Sequence, residues 1–241
     1  MNIEELQHEA KGGIVEAVFL LGFLYENGLG TEQDYSEAFR CYSKAARADH
    51  AVAQYRLGRL YASGRGVARN VEEAFKCYES SADNEFPAAQ LEVAACYQAG
   101  AGTEIDLAKA YSWTKRAADN GYVYALTSLG LLLREGTGVT KNEVEAFKIF
   151  NQAARNDDPN AALFVAEMYE EGRGVKKNER EALSWLLKSA ELGSWGAAAK
   201  LGIIYAHGSL GQKPDSRLAE RYQKLADKLQ KELNRQLGID Q

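Results

Sequence analysis

Leu57-Gly58-Arg59-Leu60-Tyr61-Ala62-Ser63-Gly64-Arg65-Gly66-Val67 is one of several near copies of itself in a chain of 241 residues. It occurs earlier as Leu21-Gly22…Tyr25…Gly28-Leu29-Gly30 and later as Val93…Tyr97…Gly100-Ala101-Gly102, then Leu129-Gly130…Gly136-Thr137-Gly138-Val139. Val165…Tyr169…Gly172-Arg173-Gly174-Val175 follows, and a loosened version, Leu201-Gly202…Tyr205…Gly208, closes the series. The alanines that open the copies, Ala17, Ala53, Ala89, Ala125, Ala161 and Ala197, stand 36 residues apart every time. A strict period of this length marks a solenoid, whose units bury their apolar faces only against one another.

Each unit reads as helix, turn, helix. Ala17, Leu21, Leu24 and Tyr25 fall at i, i+4, i+7 and i+8, the apolar stripe of an α-helix. A glycine three residues after the Tyr position is placed to end that helix in a left-handed conformation. Asp34-x-x-Glu37, Asn70-x-x-Glu73, Asn142-x-x-Glu145 and Asn178-x-x-Glu181 read as capping boxes that open the second helix, and Asp106 keeps only the cap. Ala38, Ala74, Ala110, Ala146 and Ala182 then allow close helix approach, followed by the larger Phe39, Phe75, Tyr111, Phe147 and Leu183. Pro87 and Pro159 are expected in the linkers to the next first helix. About six such units occupy residues 17–214, an all-α solenoid. Residues 1–16 read as a half-repeat that covers its first face. Residues 215–241 read as the last helix, extended into a cap with a stripe of Leu218, Tyr222, Leu225, Leu229 and Leu233. That stripe either caps its own chain or pairs with a second copy in a homodimer.

Composition excludes several classes. Lys plus Arg total 29 against 34 Asp plus Glu, a formal net charge of −5 with no basic block, which argues against a nucleic-acid partner. No apolar run approaches the roughly 20 residues that span a bilayer, so no membrane insertion is expected. The acidic start, Met1-Asn2-Ile3-Glu4-Glu5, is unlike a secretory signal. The chain reads as cytoplasmic; a periplasmic or secreted location would require a signal already removed. Cys41, Cys77 and Cys96 are unpaired in spacing and share columns with large apolar residues, so buried thiols are expected.

The pattern Ala-x-x-x-Leu-Gly-x-x-Tyr-x-x-Gly-x-Gly-Val, then Asn-x-x-Glu-Ala, then Ala-Ala, at this period, resembles the Sel-one-like repeat (SLR) family, relatives of the tetratricopeptide repeats. The match runs from Ala17 to about Asp227. Departures are local: Leu133 stands for the Tyr, and Ala94 and Ala166 stand for the Gly. The resemblance implies a right-handed α-α superhelix and a bacterial protein-interaction scaffold or adaptor. It implies a narrower alternative too, an immunity protein or chaperone that neutralises a secreted toxin or effector. The cysteine pair that secreted members carry in each repeat is absent.

Chemistry is harder to find. The Gly-x-Gly pairs follow a helix rather than a strand, so they are turns and not phosphate loops. His8, His50 and His207 lie in unrelated columns with no ligand spacing, and read as surface or linker residues. No nucleophile elbow, metal set or cofactor motif is present, and a non-enzymatic protein is expected. The variable columns of the first helices carry more information. Phe19, Tyr55 and Leu91 occupy one column, Phe23, Arg59, Leu131 and Glu167 a second, and Gln98, Arg134 and Glu170 a third. Under the superhelix reading these columns line the concave side, and they are more apolar than a solvated helix face. The excess is either core between crowded first helices or a groove for another protein or peptide. The change from Arg59 and Arg134 to Glu167, Glu170 and Glu171 would orient a segment of opposite polarity.

Overall fold

In the computed structural model, which describes residues 3–239, thirteen α-helices and no strand occur among the described residues. Met1, Asn2, Asp240 and Gln241, which belong to the two expected end segments, lie outside the described residues. The all-α repeat architecture read from the 36-residue period is present. The helices divide between two compact units, Met1–Tyr122 and Val123–Gln241. The first holds α1 (Ile3–Lys11), α2 (Val15–Asn27), α3 (Tyr35–Ala46), α4 (Ala51–Ser63), α5 (Val71–Asp83), α6 (Pro87–Ala99) and α7 (Leu107–Asp119). The second holds α8 (Val123–Glu135), α9 (Glu143–Arg155), α10 (Pro159–Glu171), α11 (Glu179–Glu191), α12 (Trp195–His207) and α13 (Ser216–Leu237). Even-numbered helices are the first helices of the repeats, and the odd-numbered helices from α3 onward are the second.

Within a pair, the turn is fixed from both sides. Gly64 ends α4 at φ 71° and its amide donates to Leu60 O at 2.9 Å. The next helix starts on a side-chain cap: Asn70 Oδ1 accepts from the Glu73 amide at 3.0 Å, and Asp106 Oδ1 from the Lys109 amide at 2.9 Å. In the second unit Asn142 accepts from the Glu145 amide at 3.0 Å. The capping-box reading is corrected in its other half. The cap's own amide donates to the first helix, Asn70 N to Tyr61 O at 3.0 Å and Asn178 N to Tyr169 O at 2.9 Å. With that donor occupied, the carboxylates of Glu37, Glu73 and Glu145 pair instead with Arg40, Lys76 and Lys148 one turn on.

The two helices of a pair touch through a size match. A Cβ on Gly22 would lie 2.8 Å from the Tyr42 ring, one on Gly58 2.6 Å from the Tyr78 ring, and one on Gly130 2.5 Å from the Phe150 ring. Ala94 and Ala166 hold the same position where the partner column carries Thr114 and Leu186, which have no ring. The two departures from glycine thus go with smaller partners. Gly202 has room, its nearest neighbour at 3.5 Å, because the extra residue in the last turn shifts α13 along its register.

Neighbouring pairs are pinned by aromatic edges. Phe39 meets Tyr61 edge-on at 5.3 Å and Phe75 meets Tyr97 at 5.4 Å in the first unit, and Phe147 meets Tyr169 at 5.1 Å in the second. Such pairs contribute about 0.5–1.5 kcal/mol beyond their buried area. In three turns the second glycine sits against the preceding second helix: a Cβ on Gly66 would fall 2.2 Å from Tyr35 O, one on Gly102 2.2 Å from Val71 O, and one on Gly174 2.1 Å from Glu143 O. Two buried glutamines, Gln54 and Gln90, are satisfied within their own repeats by Asn84 (3.0 Å) and Asn120 (3.2 Å).

Several local expectations change. Pro87 and Pro159 are the first residues of α6 and α10 rather than linker residues, a position where the missing amide has no helical partner to lose. Cys96 is buried, but Cys41 and Cys77 are only half-buried. Leu6 and Ala10 of α1 are buried beside Val18 and Leu21. Leu218, Tyr222, Leu225 and Leu229 of α13 pack on the cluster that contains Leu201 and Ile204, whereas Leu233 is exposed and Ala226 is buried.

Candidate functional site

The first unit carries six of the ten expected groove residues on α2, α4 and α6. Phe19, Phe23, Tyr55 and Leu91 are half-buried, and Arg59 and Gln98 are exposed. Phe19 stacks on His50 at 4.5 Å. His50 is not a bystander: its Nδ1 accepts the Ala53 amide at 3.1 Å, capping α4, and its Nε2 lies 3.1 Å from Glu16. Tyr55 packs against Phe86 at 5.2 Å and Tyr78 at 6.0 Å, and Arg59 lies over the Tyr55 ring at 6.0 Å. The apolar excess therefore serves in part between helices and in part stands open to solvent.

Arg56 and Glu92, from a neighbouring column, complete this face. Arg56 covers the Phe23 ring at 5.1 Å and pairs with Glu26 at 3.0 Å. Glu26 also accepts the Tyr42 hydroxyl at 2.6 Å; burial first, and then this bond, push the Tyr42 phenol upward in pKa. Glu92 lines a cleft of about 310 Å³ together with Glu26, Arg59, Ala62, Arg65 and Tyr78. Burial raises its carboxyl above the usual carboxylate range, and the Arg59 cation opposes the rise.

The second unit carries the other four, all half-buried: Leu131, Arg134, Glu167 and Glu170. The Arg134 guanidinium lies over Phe164 at 4.7 Å and meets Glu135 at 2.7 Å and Glu167 at 3.9 Å. Lys200 meets Glu170 at 2.7 Å and Glu167 at 3.9 Å, and Glu171 pairs with Arg173. Each acidic residue of the expected acidic stretch, Glu167, Glu170 and Glu171, is thus met by a cation of the same chain. Lys200 shares its column with Arg56 and Glu92, a column that mixes charged and apolar residues and was not among the three read from the sequence.

Burial pushes the Cys77 and Cys96 thiols up to about 11, so neither is a thiolate nucleophile near neutrality. Among the described residues no three His, Cys, Asp or Glu side chains gather around a metal-sized space, and no helix is long and apolar enough to cross a membrane.

The sequence matches the Sel1 repeat over residues 15–50, 51–86, 87–122, 123–158, 159–194 and 195–226. Comparison with curated proteins gave no match. Among solved structures, a Sel1 repeat protein from Oxalobacter formigenes is 32% identical, with a TM-score of 0.82 over 94% of this chain and 99% of that one. A protective antigen of uropathogenic Escherichia coli strains, displaying an SLR fold, is 29% identical with a TM-score of 0.85; the match covers 92% of this chain and 48% of that one. The chain thus spans about half the length of that antigen. An immunity protein from Pseudomonas aeruginosa shares the fold at 23% identity and a TM-score of 0.58, over 90% of this chain and 82% of that one.

Proposed function

The chain belongs to the Sel1 repeat family, and from that premise we propose that it is a non-enzymatic adaptor that holds a segment of another protein against its first helices. Sel1 repeat proteins generally mediate protein–protein interaction. The observation that carries the reading is the face of α2, α4 and α6. There Phe19, Phe23, Tyr55 and Leu91 are half-buried beside exposed Arg59 and Gln98. Large side chains left partly open next to an arginine are what a binding face offers. In the second unit Leu131, Arg134, Glu167 and Glu170 are kept as a second, more internally paired face of the same kind.

The test uses exposed positions, because Tyr55 also packs internally. Arg59→Glu with Ala95→Arg should leave the melting temperature unchanged, since both residues are exposed. The partner, captured from the native host and purified, should bind wild type and lose the variant in calorimetry. Undiminished binding would remove this face from the site.

A narrower reading makes the chain an immunity protein or chaperone for a secreted toxin or effector; a Pseudomonas aeruginosa protein that shares the fold is an immunity protein. Co-expression with a toxin encoded beside it should then protect cells, and unprotected cells would leave only the general adaptor.

A further inference from the structure

On the first unit's face, some charges are paired within the chain and others are not. Glu26 has Arg56 at 3.0 Å and the Tyr42 hydroxyl at 2.6 Å. Arg59 and Glu92, carried by successive first helices, have neither an ion pair nor a side-chain hydrogen bond among the described residues. Arg59 rests over the Tyr55 ring instead, at 6.0 Å. Both line the same cleft of about 310 Å³, whose rim also holds Arg65, a second cation without an ion pair, placed over the Tyr35 ring at 5.4 Å. In the second unit the corresponding charges meet one another through Lys200, Glu167, Glu170 and Arg134.

We propose that this cleft is a two-charge subsite for an extended peptide segment, which sets a basic side chain on Glu92 and an acidic one on Arg59, with Arg65 supporting the second contact. The proposal rests on the adaptor reading and supplies the chemistry of its partner. A half-buried carboxylate with no cation in contact gains most from a lysine or arginine delivered from outside, because that ligand replaces the water removed by burial. A guanidinium resting on an aromatic face keeps its N–H edges free for a carboxylate. The two contacts also set direction. A segment carrying the two charges in the wrong order places like charges together, which costs affinity.

The probe is a library of nonapeptides with both ends blocked, so that side chains alone supply charge. Against the wild-type protein, selected peptides should carry one basic and one acidic residue at a fixed separation. Against Arg59→Glu with Glu92→Arg, the order of the two should reverse. The best wild-type peptide should bind Glu92→Gln at least ten-fold more weakly, and replacing its basic residue by glutamine should add no further loss in that variant. The proposal is overturned if the selected peptides show no charge preference, or bind Glu92→Gln as tightly as wild type. Peptides selected for apolar residues and lost on Phe23→Ala would leave the adaptor reading standing without the two-charge subsite. A library from which nothing is selected overturns both.

Discussion

Gly58 lies so close to the ring of Tyr78 that a Cβ there would fall 2.6 Å from the ring's Cε1 atom. The ring belongs to a buried side chain. Gly58→Ala should destabilise the protein by about 1–3 kcal/mol, the usual cost of overpacking. Ala166 with Leu186 shows the alternative solution within the same chain. Gly58→Ala with Tyr78→Leu should therefore cost less than the sum of the two single changes by about 1 kcal/mol or more. Urea denaturation of all four proteins provides the cycle, and additive single costs would mean that the helices part freely here.

Gly30 and Gly66 share a left-handed conformation, φ 71° and 69°, but not an environment. Around Gly30 a Cβ meets nothing within 4 Å, whereas at Gly66 it strikes the Tyr35 carbonyl. Gly30→Ala should cost about 1 kcal/mol from backbone strain alone, and Gly66→Ala clearly more. Equal losses in a denaturant melt would show that the approach to Tyr35 is not tight.

Glu85 adopts φ 60° in the turn between α5 and α6, where Gly121 and Gly193 hold the equivalent place in other repeats. Its contact with Arg116, at 3.8 Å on the surface, adds little. Glu85→Gly should stabilise by a few tenths to about 1 kcal/mol, the strain relieved less the extra chain entropy of glycine. A lower melting temperature would mean that Glu85 has a stabilising role beyond this turn.

Glu92 gives a pH signature. Burial holds its folded-state pKa above the ordinary carboxylate value, with Arg59 opposing. The folded protein therefore takes up this proton more readily than the unfolded chain. The associated stability is present below the ordinary value and is lost as pH rises through the raised one. Tyr55 and Tyr78, which face it, stay protonated throughout because burial raises them too. Glu92→Gln should melt about 1–2 °C above wild type at pH 7, with the gap closing toward pH 4. A gap that does not narrow on acidification would assign the difference to packing instead.

The period made the architecture legible, because each residue could be compared with its equivalents 36 positions away. Turn glycines, helix caps and the apolar stripes all repeat in that frame. Contacts that join two different columns are not visible in that way. Arg56 reaches Glu26 and Asn84 reaches Gln54 across 30 residues, joining columns that are not equivalent. Lys200 reaches Glu170 in the same way. A reading by columns sees Glu167 and Glu170 as an acidic rim, and misses the cation that comes from the neighbouring helix. The return bond of the capping boxes is missing for a related reason. Whether the Asn70 amide turns to Glu73 or to Tyr61 depends on how the loop closes, and both residue types fit the pattern.

The size match at Gly58 and the turn contact at Gly66 differ in reach. The first closes inside one 36-residue block, and the second joins a block to the one before it. A block removed whole takes its own Gly–Tyr fit along, and leaves surfaces of matching kind on either side of the cut. Misaligned recombination between copies within the gene can therefore add or delete 36 codons, in frame, and rejoin compatible helices wherever the crossover falls inside the repeat. A deletion that is not a whole number of repeats puts the two sides of the cut out of register. Such a gene can change the number of charged columns it presents to a partner in one event, with a folded protein on each side of it.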